Sequence, residues 1–138
     1  MVKRAALLIG SVAVALCLVS PSGAAAPQKF STTVTLEVQM GVRAPAAARG
    51  TFDWHGRVKS AKDQCKNRRF VTLYTVPEGG GKPAIRGSFT TGKNGRYSVI
   101  VEANYDGEYY AEAAKRILGN GKVCKFDRSE SIVRDVAP

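Results

Sequence analysis

Two dipeptides, Asn94-Gly95 and Asp106-Gly107, constrain this chain more than any other feature, because each lies between segments whose apolar and polar residues alternate. Asn-Gly and Asp-Gly adopt the positive φ values that tight hairpin turns require. The spacing predicts three consecutive strands, about 84 to 91, 96 to 103 and 108 to 114, joined as a meander. The same period of two runs through TVTLEVQM, where Val34, Leu36, Val38 and Met40 share a face. In TFDWHGRVKS, Phe52, Trp54, Gly56 and Val58 oppose Asp53, His55, Arg57 and Lys59, with the only tryptophan as a core anchor. RFVTLYTV is apolar on both sides, Phe70, Tyr74 and Val76 against Val71 and Leu73, the pattern of a central strand. A last strand is expected in SIVRDV. AEAAKRIL is read as strand to about Ala113 and then loop, with a helix capped by Gly119 as the alternative. About seven short strands in one small domain imply an all-β, antiparallel, Ig-like β-sandwich.

The amino terminus sets the compartment. Lys3 and Arg4 precede a small apolar run, Ala5 to Val19, and then SPSGAAAP, the pattern of a secretory signal peptide over 1–26. The run is about 15 residues, short of the ~20 that span a bilayer, so no membrane span is expected. The remainder divides into an N-terminal strand with an Ala/Pro linker, 27–50, and a β-sandwich core domain, 51–138. Cleavage removes Cys17 and leaves Cys65 and Cys124 in an oxidising compartment, where paired cysteines become a disulfide. Cys65 sits among Lys62, Lys66, Arg68 and Arg69, a field that also suits an activated thiolate. The single available partner and the compartment favour the bridge. With 19 basic against 11 acidic residues left after cleavage, the net charge is about +8. Outside the cell, such a surface meets anionic envelope polymers or glycans rather than nucleic acid.

The series Gly56-Arg57-Val58, Ser60, Cys65, Arg69, Val71, Leu73-Tyr74, Ile85, Gly87-Ser88, Thr90-Thr91, Gly95-Arg96-Tyr97, Gly107, Tyr109-Tyr110-Ala111, Cys124 and Ser129 resembles a group of small secreted actinobacterial proteins of unknown function. More distantly it is similar to prealbumin-like sandwiches, including carboxypeptidase regulatory-like and transthyretin-like domains. The resemblance covers residues 50 to 136 and implies a non-catalytic extracellular module. Its motifs specify turns, core strands and a cysteine pair. The Lys, Glu and Asn set that forms intramolecular isopeptide bonds in pilin-type relatives has no counterpart in this sequence.

Few residues carry chemistry. His55 is the sole histidine, so a small hydrolase would have to act through it, yet no Gly-x-Ser-x-Gly elbow is present. Residues 78–83, EGGGKP, place Pro83 after Lys82 and lie between strands, a hairpin loop rather than a phosphate loop. Glu102, Asp106, Glu108 and Glu112 cluster around one turn without the cleft a glycosidase needs. No calcium-loop or zinc spacing occurs, and neither cofactor nor metal is expected. The binding reading rests on Phe70, Tyr74, Tyr105 and Tyr110 falling away from the core face, with Arg68, Arg69, Arg96 and Lys115 nearby, a surface suited to an acidic polysaccharide. The expected role is therefore a secreted, non-catalytic module, structural or adhesive at the cell envelope, with a carbohydrate-binding module as the alternative.

Overall fold

The computed structural model describes residue 23 and residues 25–40, 51–102 and 106–134. Most of the expected signal peptide, the Ala/Pro linker at 41–50, Tyr105 and the end of SIVRDV lie outside the described residues. The strands are β1 (Gln28–Phe30), β2 (Thr33–Met40), β3 (Thr51–Lys59), β4 (Phe70–Pro77), β5 (Ala84–Thr90), β6 (Arg96–Glu102), β7 (Gly107–Ala113), β8 (Arg116–Ile117), β9 (Lys122–Cys124), β10 (Asp127–Arg128) and β11 (Ile132–Arg134). A single helical turn, α1 (Asp63–Lys66), links β3 to β4. AEAAKRIL is strand to Ala113 and then the two-residue β8, not helix.

Two sheets face each other. One has the order β2-β3-β6; the other runs β10-β7-β4-β5, with β11 also paired to β7. A small third sheet, β1-β9-β8, contains a parallel pair, β1 with β9. The alternation in β2 and β3 sends Val34, Trp54 and Val58 inward, where they meet Val71 and Leu73 of β4 and Tyr109, Ala111 and Ala113 of β7. Trp54 stacks on Tyr109 with ring centroids 4.3 Å apart, joining the sheets at their centre. β4 is central, as its two-sided apolar pattern implies. β2 pairs with β3 from Thr33↔Lys59 to Met40↔Phe52, so the sandwich begins upstream of residue 51.

The expected meander does not form. β5 pairs with β4, β6 with β3, and β7 with β4, so both turns join strands in opposite sheets. Asn94-Gly95 does reverse the chain: Gly95 N–H donates to Gly92 O at 2.9 Å and Gly92 N–H to Arg96 O at 2.9 Å. The flanking strands then separate because each is captured elsewhere. Thr91 exchanges backbone bonds with Arg68 and Arg69, while Gly95 O accepts Val58 N–H at 2.8 Å. Gly95 has φ +75°, and a Cβ there would lie 2.1 Å from Val58 O, so glycine serves both the turn and the sheet crossing. Residues 78–83 form the β4–β5 hairpin loop as expected.

Cys65 and Cys124 form the disulfide, Cα to Cα 5.4 Å, fastening α1 to β9. Arg69 is buried beside it, 1% exposed. Its Nη2 donates to Lys125 O at 2.7 Å and Nη1 to Cys65 O at 3.4 Å, so one guanidinium bridges the chain on both sides of the bond. Burial and then the nearby Arg116 charge lower its pKa from the usual arginine value. Arg116 Nη1 donates to the carbonyls of Gln64, Asn67 and Arg68, closing the same corner.

Candidate functional site

The expected aromatic surface lies on the outer face of the five-stranded sheet, where Tyr74 and Tyr110 are directly opposed. Their rings stack at 5.2 Å and 18°. Tyr110 is only 3% exposed, because Tyr74 covers one side and the Arg128 guanidinium lies 3.5 Å from its ring centre. Arg128 is further held by Glu112, 3.2 Å from Nε. Phe70 is exposed at 54%, and Arg68 is exposed in the left-handed region at φ +50°. Placing Arg69 and Tyr110 on a ligand surface is therefore corrected: Arg69 is consumed by backbone carbonyls and Tyr110 lies under its neighbours. Phe70 and Arg68 are exposed and Tyr74 is half-buried.

A groove of about 690 Å³ instead lies on the outer face of β2-β3-β6. Strand alternation makes it, since Glu37, His55 and Ser98 occupy one cross-strand row and Thr35, Arg57 and Arg96 the next but one. Asp53, Lys59 and Gln39 extend it. His55 Nε2 is 3.3 Å from Glu37 Oε2, and Ser98 Oγ donates to Asp53 Oδ1 at 2.6 Å. The volume is within the ~300–1,000 Å³ range of small-ligand sites, although this groove is open along the sheet.

Beneath the groove, the sheet is locally rewired. Arg57 N–H donates to Thr35 Oγ1 at 3.1 Å, and that hydroxyl is 3.3 Å from Arg57 O. The Thr35 carbonyl accepts the Tyr97 hydroxyl at 2.5 Å. Gly56 permits this approach, because a Cβ at that position would sit 1.9 Å from Thr35 O and 2.5 Å from the Tyr97 hydroxyl. Burial, and secondarily the Glu37 charge, raises the Tyr97 pKa well above the usual phenol value.

The groove is electrically divided. Glu37 and Asp53 occupy one end with His55; Arg57, Arg96 and Lys59 occupy the other. Arg57 stands directly opposite Arg96 in the β3–β6 register. Among the described residues no carboxylate pairs with Arg57, Arg96 or Lys59. Also among the described residues, no group of three His, Cys, Asp or Glu side chains could hold a metal ion, and no helix is long and apolar enough to cross a membrane. Sequence patterning had turned Arg57 and Lys59 outward, but the pairing of Arg57 with Arg96 depends on a register between distant segments.

No family model and no curated protein matches this chain. A solved structure similar to it is that of hypothetical protein PH1083 from Pyrococcus horikoshii OT3, 14% identical, with a TM-score of 0.45, covering 71% of this chain and 88% of that one.

Proposed function

We propose that this is a secreted, non-catalytic β-sandwich module that serves a structural or adhesive role at the cell envelope by holding an extracellular polymer on a sheet face. The signal-like amino terminus and the cysteine pair support export. The observation that carries the reading is the chemistry around the single histidine. His55 lies on a sheet face paired with Glu37, while the adjacent Ser98 hydroxyl is donated to Asp53. Backbone N–H groups of a sheet lie in its plane, and that of Arg57, which leaves the ladder, is already taken by Thr35 Oγ1, so neither offers a donor for an oxyanion over His55. The resemblance to prealbumin-like extracellular modules points the same way.

The test is retention of the processed protein on purified envelope fractions. Saturable retention of the wild type, unchanged in His55→Ala, is expected; a protein that binds no fraction would overturn the reading. A second reading draws on one specific observation, the Glu37, His55, Ser98 row, which contains the residue types of an acyl-transfer triad. It predicts ester hydrolysis lost in both His55→Ala and Ser98→Ala. The adhesive reading predicts no hydrolysis that depends on either residue.

A further inference from the structure

We propose that the basic end of the outer groove, Arg57, Arg96 and Lys59, is the docking site for an acidic polysaccharide; this rests on the adhesive reading above and names its ligand class and its place. In an antiparallel pair, directly opposed side chains have Cβ atoms ~4.5–5.5 Å apart, and like charges there are unfavourable. Arg57 and Arg96 are such a pair, and Lys59 follows on the same face about 7 Å along the strand. Other arginines of the sheets and the disulfide corner have partners within the fold, Arg128 in Glu112 and the Tyr110 ring, Arg69 in two carbonyls and Arg134 in the Phe52 ring, while Arg68 is exposed in the loop before β4. The opposed pair is left for an anion from outside.

The rest of the groove selects the class of anion. Asp53, Glu37 and Ser98 offer acceptors and a hydroxyl suited to sugar hydroxyls, a few residues from the cations. A DNA strand fits less well, because its internal deoxyriboses carry no free hydroxyl for Glu37 and Asp53 to accept, and Tyr97 in the lining is buried and cannot stack on a base. A chain carrying both carboxylates and hydroxyls satisfies the two ends together.

The experiment measures affinity of the full processed protein for polygalacturonate, with dextran as the neutral polymer and single-stranded DNA as the competing polyanion. The wild type should bind polygalacturonate with an affinity that falls as salt rises, should ignore dextran, and should bind DNA more weakly. Arg57→Gln/Arg96→Gln should weaken polygalacturonate binding about tenfold or more, whereas Lys82→Gln/Lys125→Gln, which removes the same charge from other exposed positions, should change it less than about twofold. Equal losses in the two variants would show a non-specific charge effect and overturn the site. Stronger binding to DNA would overturn the ligand class. If Arg57→Gln/Arg96→Gln retains full binding to envelope fractions, the site is wrong while adhesion stands; if the wild type binds no fraction, the adhesive reading itself falls.

Discussion

The two outer faces of the sandwich use arginine in opposite ways. On the five-stranded sheet, Arg128 packs over Tyr110 and pairs with Glu112, so its charge is spent within the molecule. On the three-stranded sheet, Arg57 faces Arg96, with no pairing carboxylate among the described residues. Both sites are cross-strand positions on a half-solvated surface. Cations with internal partners tie the fold together, and the opposed cations without a carboxylate are those assigned to the ligand in the proposal above. The corner at the disulfide extends the first group, since Arg69 and Arg116 are both committed to backbone carbonyls.

That contrast can be broken from the structural side first. Removing the disulfide as Cys65→Ala/Cys124→Ala frees a loop with a sequence separation of 59. Chain entropy predicts a loss of about 4 kcal/mol, read by urea denaturation, and much of the stability of a domain this size. Arg69→Met keeps the apolar stem and leaves the carbonyls of Cys65 and Lys125 without donors, a loss of about 2–3 kcal/mol in the same assay. Arg69→Lys should recover little, because an ammonium lacks the fork that spans two carbonyls.

Smaller effects are expected under the groove. Gly56→Ala places a methyl against Thr35 O and Tyr97, costing about 2 kcal/mol by overpacking. Tyr97→Phe loses the bond to Thr35 O, about 1 kcal/mol. Because burial raises the Tyr97 pKa in the folded state, its contribution is complete below the unfolded value of 10.0 and is lost as pH rises beyond it. The wild type should therefore lose stability above about pH 10, and Tyr97→Phe should flatten that alkaline limb; an unchanged limb would remove Tyr97 from the account.

Much of the fold was legible in the sequence. Period-two patterning placed Trp54 and Val58 inside and His55, Arg57 and Lys59 outside, and the two cysteines that follow the signal-like segment pointed to the bridge. Sheet membership was not legible. Asn94-Gly95 determines that the chain reverses, but capture of Gly95 O by Val58 N–H determines that β6 joins β3 instead of β5. Arg69 was misplaced for a related reason: its acceptors are main-chain carbonyls of residues 65 and 125, which no side-chain pattern reveals. The groove lay half in view, since alternation turned Arg57 outward while only the β3–β6 register brings Arg96 opposite.

The most direct test of the division between partnered and unpartnered arginines is the unfolding free energy of Arg57→Gln/Arg96→Gln in urea without ligand. Relief of an opposed like-charge pair predicts a double variant as stable as the wild type or a few tenths of a kcal/mol more stable, with the gain shrinking in salt. A loss of more than about 1 kcal/mol, the scale of an ordinary intramolecular hydrogen bond, would show that these arginines hold the fold as Arg69 does, and would contradict the account.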